Sequence, residues 1–164
     1  MPPDRARSPA SPRAQVSIPA AGHGVIIGFG LPGRAIADTL SLLGMDYAVI
    51  EANAAMVDRC RETGVPILHG DGRDRRVLQQ ANVGAARLVA IMVPGDEVML
   101  QVLESVRAVN SAVAVLARAH YTSAALKALH AGAQQVVAEE QVVAESASAV
   151  VRRMFGSAEG GEKI

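Results

Sequence analysis

An apolar run, Val25-Ile26-Ile27, leads straight into Gly28-Phe29-Gly30-Leu31-Pro32-Gly33, and a helical pattern begins at once. A buried strand that turns into a helix through so few residues leaves the backbone little choice. Gly28 permits the tight turn, Gly33 lets the helix pack closely on the strand, and Gly30 keeps the backbone bare for a pyrophosphate to approach. Pro32 suits the first helical turn, where its missing N–H has no helical partner. Phosphate would then sit over the free N–H groups and the positive dipole end of the helix.

The rest of the sequence repeats the alternation. The helix over Pro32–Leu43 carries Ile36, Ala37, Leu40 and Leu43 on one face and stops at Gly44. Strands are expected at Tyr47–Ile50, Val65–Leu68, Leu88–Val93, Val113–Ala117 and Gln135–Ala138. Between them, Asn53 and Asp74 are positioned to cap helices, Gly64 and Gly132 to end them. Val98, Val102, Val106 and Val109 mark another helix, Ser123–His130 a further one, and Gln141–Phe155 the last. Strands alternating with helices at these lengths imply right-handed crossovers, hence an α/β fold: a single Rossmann-like, doubly wound parallel sheet of about six strands with helices on both faces.

Composition agrees. Half of the 164 residues are hydrophobic, yet Tyr and Phe number two each and Trp is absent. A core of Val, Ala, Leu, Ile and Met suits a helix-covered parallel sheet. The length supports one domain of about 23–155. Residues 1–22, rich in Pro, Ala, Ser and Arg, are expected to be a disordered tail, and 156–164 a flexible one. A formal net charge of zero argues against a nucleic-acid partner. Arg87 interrupts the longest apolar run, Val83–Val93, so no segment is suited to direct membrane insertion. The single cysteine, Cys60, with no Cys/His cluster at metal spacing, suits a reducing cytoplasmic setting; Cys60 itself reads as core.

Glu51 ends the second strand, where a carboxylate accepts both ribose hydroxyls and repels a 2′-phosphate. NAD(H) or a plain adenosine nucleotide is therefore expected over NADP. Arg34, just inside the first helix, is a candidate phosphate partner. A second turn, His69-Gly70-Asp71-Gly72-Arg73, follows the third strand onto the same edge; Asp71 either accepts the adenine amino group or caps the turn. The fourth and fifth strands open there too, at Val93 and Arg118. His69 and His120 fall at strand ends on this edge, while His23 and His130 read as structural or exposed.

The succession GFGLPGR, VIEAN, HGDGRDRRVLQQANVGAARLVAIMV, LARAH and ALHAGAQQVVAEE resembles the RCK N-terminal (Trk-type, KTN) NAD-binding domain, in particular the cytoplasmic domain of Kef-type cation/proton antiporters. The resemblance spans about 23–155. It implies phosphate on Gly28, Gly30 and Gly33, ribose on Glu51 and the adenine side on Asp71. The full candidate set is Gly28, Phe29, Gly30, Leu31, Pro32, Gly33, Arg34, Glu51, Ala52, Asp71, Gly72, Val93 and Arg118, holding NAD(H) or AMP, ADP or ATP. Two departures stand out: the family usually places Arg after the second glycine, where this chain has Leu31, and its usual GDAT is Gly70-Asp71-Gly72-Arg73 here.

That likeness implies a nucleotide-sensing regulatory subunit, not an enzyme, acting in trans on a potassium or other cation transporter or antiporter. Its place would be cytoplasmic, peripheral to the inner membrane through that transporter. The rival readings are a small NAD(P)-dependent oxidoreductase and a nucleotide-binding module with a soluble partner. Against a short-chain reductase, Tyr121 and Lys127 are six residues apart rather than four, and no Ser-His-Asp or Cys-His set can be assembled. In the last helix, Val142, Val143, Ser146, Ala147, Val150, Val151, Met154 and Phe155 form two apolar lines. One is expected to cover the sheet's flank and the other to pair two copies as a homodimer.

Overall fold

The computed structural model describes residues 16–156. Its strands are β1 (Gly24–Ile27), β2 (Tyr47–Glu51), β3 (Ile67–His69), β4 (Leu88–Ile91), β5 (Ala114–Ala119) and β6 (Gln135–Ala138). The helices between and after them are α1 (Leu31–Leu42), α2 (Ala54–Glu62), α3 (Arg75–Gln80), α4 (Asp96–Val109), α5 (Thr122–His130) and α6 (Glu139–Phe155). All six strands pair in parallel in the order β3-β2-β1-β4-β5-β6. This is the Rossmann-like doubly wound sheet expected from the alternation. The strand order reverses between β1 and β4, where Ile27 lies in register with Ile50 on one side and Ile91 on the other.

Local chemistry sets the element ends. Asn53 and Asp74 cap α2 and α3 as expected, their side chains accepting from the amides of Met56 and Arg76. Gly44, Gly64 and Gly132 follow the ends of α1, α2 and α5 with φ of 67°, 78° and 102°, the left-handed conformation that only glycine adopts freely. A single 3-10 turn at Val83–Ala85, entered through Asn82 at φ 55°, has no counterpart in the periodicity. Apolar spacing cannot reveal a turn that short.

Alternate strand residues feed two cores. Val25, Ile27, Val89, Ile91, Val115 and Ala117 pack with the buried faces of α3, α4 and α5. Ile26, Val49 and Ile67 pack with Ala37 and Leu40 of α1 and with Val57 and Cys60 of α2. Cys60 is thus a core residue, as read. His23 is also buried; it keeps one ring nitrogen 3.0 Å from the Ala81 carbonyl and leaves Nδ1 without a partner among the described residues. Arg107 ties the far half of the sheet together through the carbonyls of Val113 (2.8 Å) and Gly132 (2.7 Å).

Of the tails expected at 1–22 and 156–164, residues 1–15 and 157–164 lie outside the described residues. Residues 16–22, assigned to the first tail, run as irregular chain in which Asn82 donates to the carbonyls of Pro19 and Ala20. The expectation that α6 covers the sheet's flank is corrected, because no residue of α6 is buried. α6 touches α5 and β6, and its side-chain ties to the sheet end lie at Glu139 and Glu140.

Candidate functional site

At the strand reversal the loops after β1, β2, β3 and β4 surround a crevice of about 620 Å³. The glycine loop forms one wall with Gly28, Phe29, Gly30, Leu31 and Pro32. Glu51 and Ala52 come from the end of β2, and Asp71 and Gly72 from the turn after β3. Val93 and Arg118 close the far side. Eleven of the thirteen candidate residues thus meet in one cavity.

Gly33 and Arg34 lie outside that lining. A side chain at Gly33 would place its Cβ 2.1 Å from the Gly28 carbonyl oxygen, so this glycine serves the packing of α1 on the loop. Arg34 faces away from the crevice toward α2. Its guanidinium lies 5.9 Å from the Phe29 ring centre and 3.1 Å from the Met56 sulfur.

The glycines of the loop divide by cause. Gly28 has φ 94° and lies tight against the Met92–Val93 peptide, so turn and packing both require it. Gly30 is different. Its φ of −70° suits any residue, and a Cβ there would find only the Pro32 ring, 3.9 Å away. Neither backbone angle nor packing explains the missing side chain.

Glu51 stands opposite. One carboxylate oxygen accepts from the Phe29 amide at 2.8 Å and the other from the Asn53 amide at 2.8 Å. Each oxygen keeps lone-pair capacity for a further donor, so the group can brace the loop and receive hydroxyls. At the start of α1, Pro32 contributes no N–H, which leaves the amides of Leu31 and Gly33 among those free at the first turn.

The other charged groups of the lining are already engaged. Arg73 donates through Nε and Nη2 to the Asp71 carboxylate, the latter at 2.7 Å, and through Nη1 to the Gln101 side chain at 3.1 Å. These hydrogen bonds and the guanidinium charge hold Asp71 below the ordinary carboxylate range. Arg118 donates to Glu139, whose other oxygen lies 3.0 Å from His120 Nδ1. Both contacts hold the Glu139 pKa down. His120 lies beyond Arg118 in an adjoining cavity, and His69 contacts the Ala52 carbonyl at 3.1 Å, so neither histidine lines the crevice.

Among the lining residues that the candidate set left out are Arg73, Val98 and Val102. Val98 and Val102 are one helical turn apart on the apolar stripe of α4, a signal that identifies the face but not what it meets. Arg73 sits two residues from Asp71, a spacing that allows the pair without announcing it. Among the described residues no cluster of His, Cys, Asp and Glu could hold a metal, and no helix is long and apolar enough to cross a membrane.

The chain is similar in sequence and structure to the inner membrane protein YbaL of Escherichia coli. The sequences are 27% identical over 132 residues, which is 80% of this chain and 24% of that protein. The crystal structure of the YbaL TrkA-N domain superposes with a TM-score of 0.75, covering 80% of this chain and 97% of that one. A K(+) efflux antiporter 3 of Arabidopsis thaliana, chloroplastic, is 33% identical over 123 residues, 70% of this chain and 16% of the antiporter. The Kef C-terminal domain of Shewanella denitrificans, solved in an AMP-bound form, shares the fold with a TM-score of 0.66 at 20% identity, covering 79% of this chain and 80% of that one. This chain spans a quarter or less of the length of the curated relatives it matches. The sequence pattern of the TrkA-N domain matches residues 24–139, and the chain belongs to that family.

Proposed function

We propose that this domain binds an adenine nucleotide lacking a 2′-phosphate, either NAD(H) or AMP, ADP or ATP, and regulates a membrane cation transporter or antiporter without catalysing a reaction. The observation that carries the reading is Gly30, a glycine demanded by neither fold nor packing, facing Glu51 across the crevice. The bare backbone at Gly30 and the amides of Leu31 and Gly33 would take phosphate, and Glu51 the ribose hydroxyls. The adenine side falls to the Asp71–Gly72 turn and the apolar wall of Val98 and Val102. A carboxylate at position 51 repels the extra phosphate of NADP.

Three facts support a regulatory role. The titratable groups lining the crevice are Glu51, Asp71, Arg73 and Arg118, a set without a nucleophile and its base. The AMP-bound Kef domain has the same fold. Matched relatives include a K(+) efflux antiporter. A nucleotide shifts such a system only by its differential affinity for two arrangements, and α6 is the element free to differ between them. Its exposed Val143, Val151, Met154 and Phe155 would pair two copies as a homodimer.

The test is thermal unfolding of the full chain with NAD, NADH, NADPH, AMP, ADP and ATP, and co-purification with a multipass cation antiporter. A ligand at a hundred times its Kd adds about 2.7 kcal/mol, a shift of several degrees at this size. No shift with any of the six removes the nucleotide reading. A shift with NADPH equal to that with NADH removes the role given to Glu51. Failure to retain any antiporter leaves the nucleotide site and removes the transporter.

A further inference from the structure

The residue that anchors α6 also holds a cation of the crevice. Arg118, near the end of β5, lines both the crevice and an adjoining cavity of about 510 Å³ bounded by Asp96, His120 and Glu139. Its Nε donates to Glu139, the first residue of α6, and its Nη1 lies 3.5 Å from the Met92 carbonyl. Nη2 has no partner among the described residues. The second cation of the lining, Arg73, spends all its donor nitrogens on Asp71 and Gln101. Pro32 has removed one amide from the start of α1. Positive charge for an anionic ligand must therefore come largely from Arg118, and Glu139 already claims it.

We propose that Glu139 competes with the phosphate of a bound nucleotide for Arg118. It thereby limits how much anionic charge the crevice accepts and ties the anchorage of α6 to the occupancy of the crevice. The inference rests on the nucleotide reading above. Both oxygens of Glu139 are held at the end of β5, by Arg118 of the strand and by His120 just after it, and Glu140 adds a contact to the Thr122 amide at 3.0 Å. No residue of α6 is buried. A phosphate that draws Arg118 away thus weakens the principal charged tie of the helix to the sheet. With the carboxylate neutralised, Arg118 is available at no such expense, and the advantage grows with ligand charge.

Calorimetric titration of the full chain with AMP, ADP and ATP tests this in the wild type, Glu139→Gln, Arg118→Gln and the double variant. Glu139→Gln should tighten AMP about 5- to 10-fold, and ADP and ATP by more. Arg118→Gln should weaken all three, and adding Glu139→Gln to it should restore nothing. Hydrogen exchange at the amides of residues 142–145 should quicken when AMP binds the wild type, and should be fast in Glu139→Gln with or without AMP. Wild-type binding that Glu139→Gln leaves unchanged or weakens overturns the inference, as does a gain that survives in the Arg118→Gln background. Absence of binding by the wild type and every variant instead removes the nucleotide reading, and this inference with it.

Discussion

Glu51 at the end of β2 accepts the amide of Phe29 at 2.8 Å, so the carboxylate opposite the glycine loop also holds that loop in place. It takes the Asn53 amide as well, at the entrance to α2. Glu51→Ala should therefore cost stability as well as binding. Two amide contacts to a charged acceptor, partly exposed, amount to about 1–2 kcal/mol. The free variant should melt several degrees lower, and NAD or AMP should no longer raise its melting point. A variant that melts like the wild type would show that the brace contributes nothing.

Two glycines three residues apart should respond in opposite ways. Gly33→Ala forces a Cβ to within 2.1 Å of a backbone oxygen that cannot rotate aside, so this variant should lose more than about 3 kcal/mol or fail to fold. Gly30→Ala meets only the edge of a proline ring at 3.9 Å. It should melt within about a degree of the wild type and lose at least tenfold in nucleotide affinity, because the added methyl occupies the ligand's side of the loop. Melting and titration of the pair separate the two roles. A Gly30→Ala protein that binds normally would remove phosphate from the loop.

That contrast also shows what the sequence reveals. Sheet, helix order and glycine loop are legible because each is a local pattern: apolar runs, a 3.6-residue stripe in α4, caps at Asn53 and Asp74. Glu51 is legible because its distance from the loop follows from strand and helix lengths. The partners of Arg118 and Arg34 are not. Arg118 meets the first residue of α6, just past the end of the neighbouring β6, and Arg34 turns toward Met56 of α2, contacts that depend on how the strands and helices pair. Nor did two apolar lines on α6 reveal that both stay exposed, since amphipathic spacing shows that a face needs cover but not where the cover lies.

Acid should destabilise the fold through three carboxylates. Hydrogen bonds to Arg73, Arg76 and Arg118 hold Asp71, Asp74 and Glu139 below their ordinary pKa values. Between the folded and unfolded values the unfolded chain binds more protons, so the stability these groups add is complete above the unfolded value and drains away as pH falls through the folded one. Melting points should thus hold near neutrality and drop as pH falls from about 5 toward about 2. The Asp71 and Asp74 pairs are substantially exposed, so each contributes little. Asp71→Asn should shrink the wild-type drop by only about one or two degrees. A drop that begins above pH 6 would point to groups other than these.

The exposed face of α6 makes the last prediction. Met154 and Phe155 are 66% and 71% exposed, Val143 and Val151 more than half, and nearby α5 and β6 expose Leu126 and Val137. On that sheet face Leu116 of β5 is only half-buried, because α1 and α2 cover the strands at the other end. An apolar helix and an apolar strip of sheet, both uncovered in one chain, are complementary in character between two. Burying four or five such side chains at ~1.5–3 kcal/mol each gives more than enough gross attraction for a micromolar dimer once association entropy is subtracted. Light scattering at tens of micromolar should therefore give twice the 17.0 kDa mass of the chain. Val151→Glu combined with Phe155→Glu should return it to the monomer with the fold intact, its melting point falling only by what dimerisation adds to the wild type, since neither side chain is buried in the fold. A wild-type chain that stays monomeric at these concentrations would leave the face to a partner other than itself.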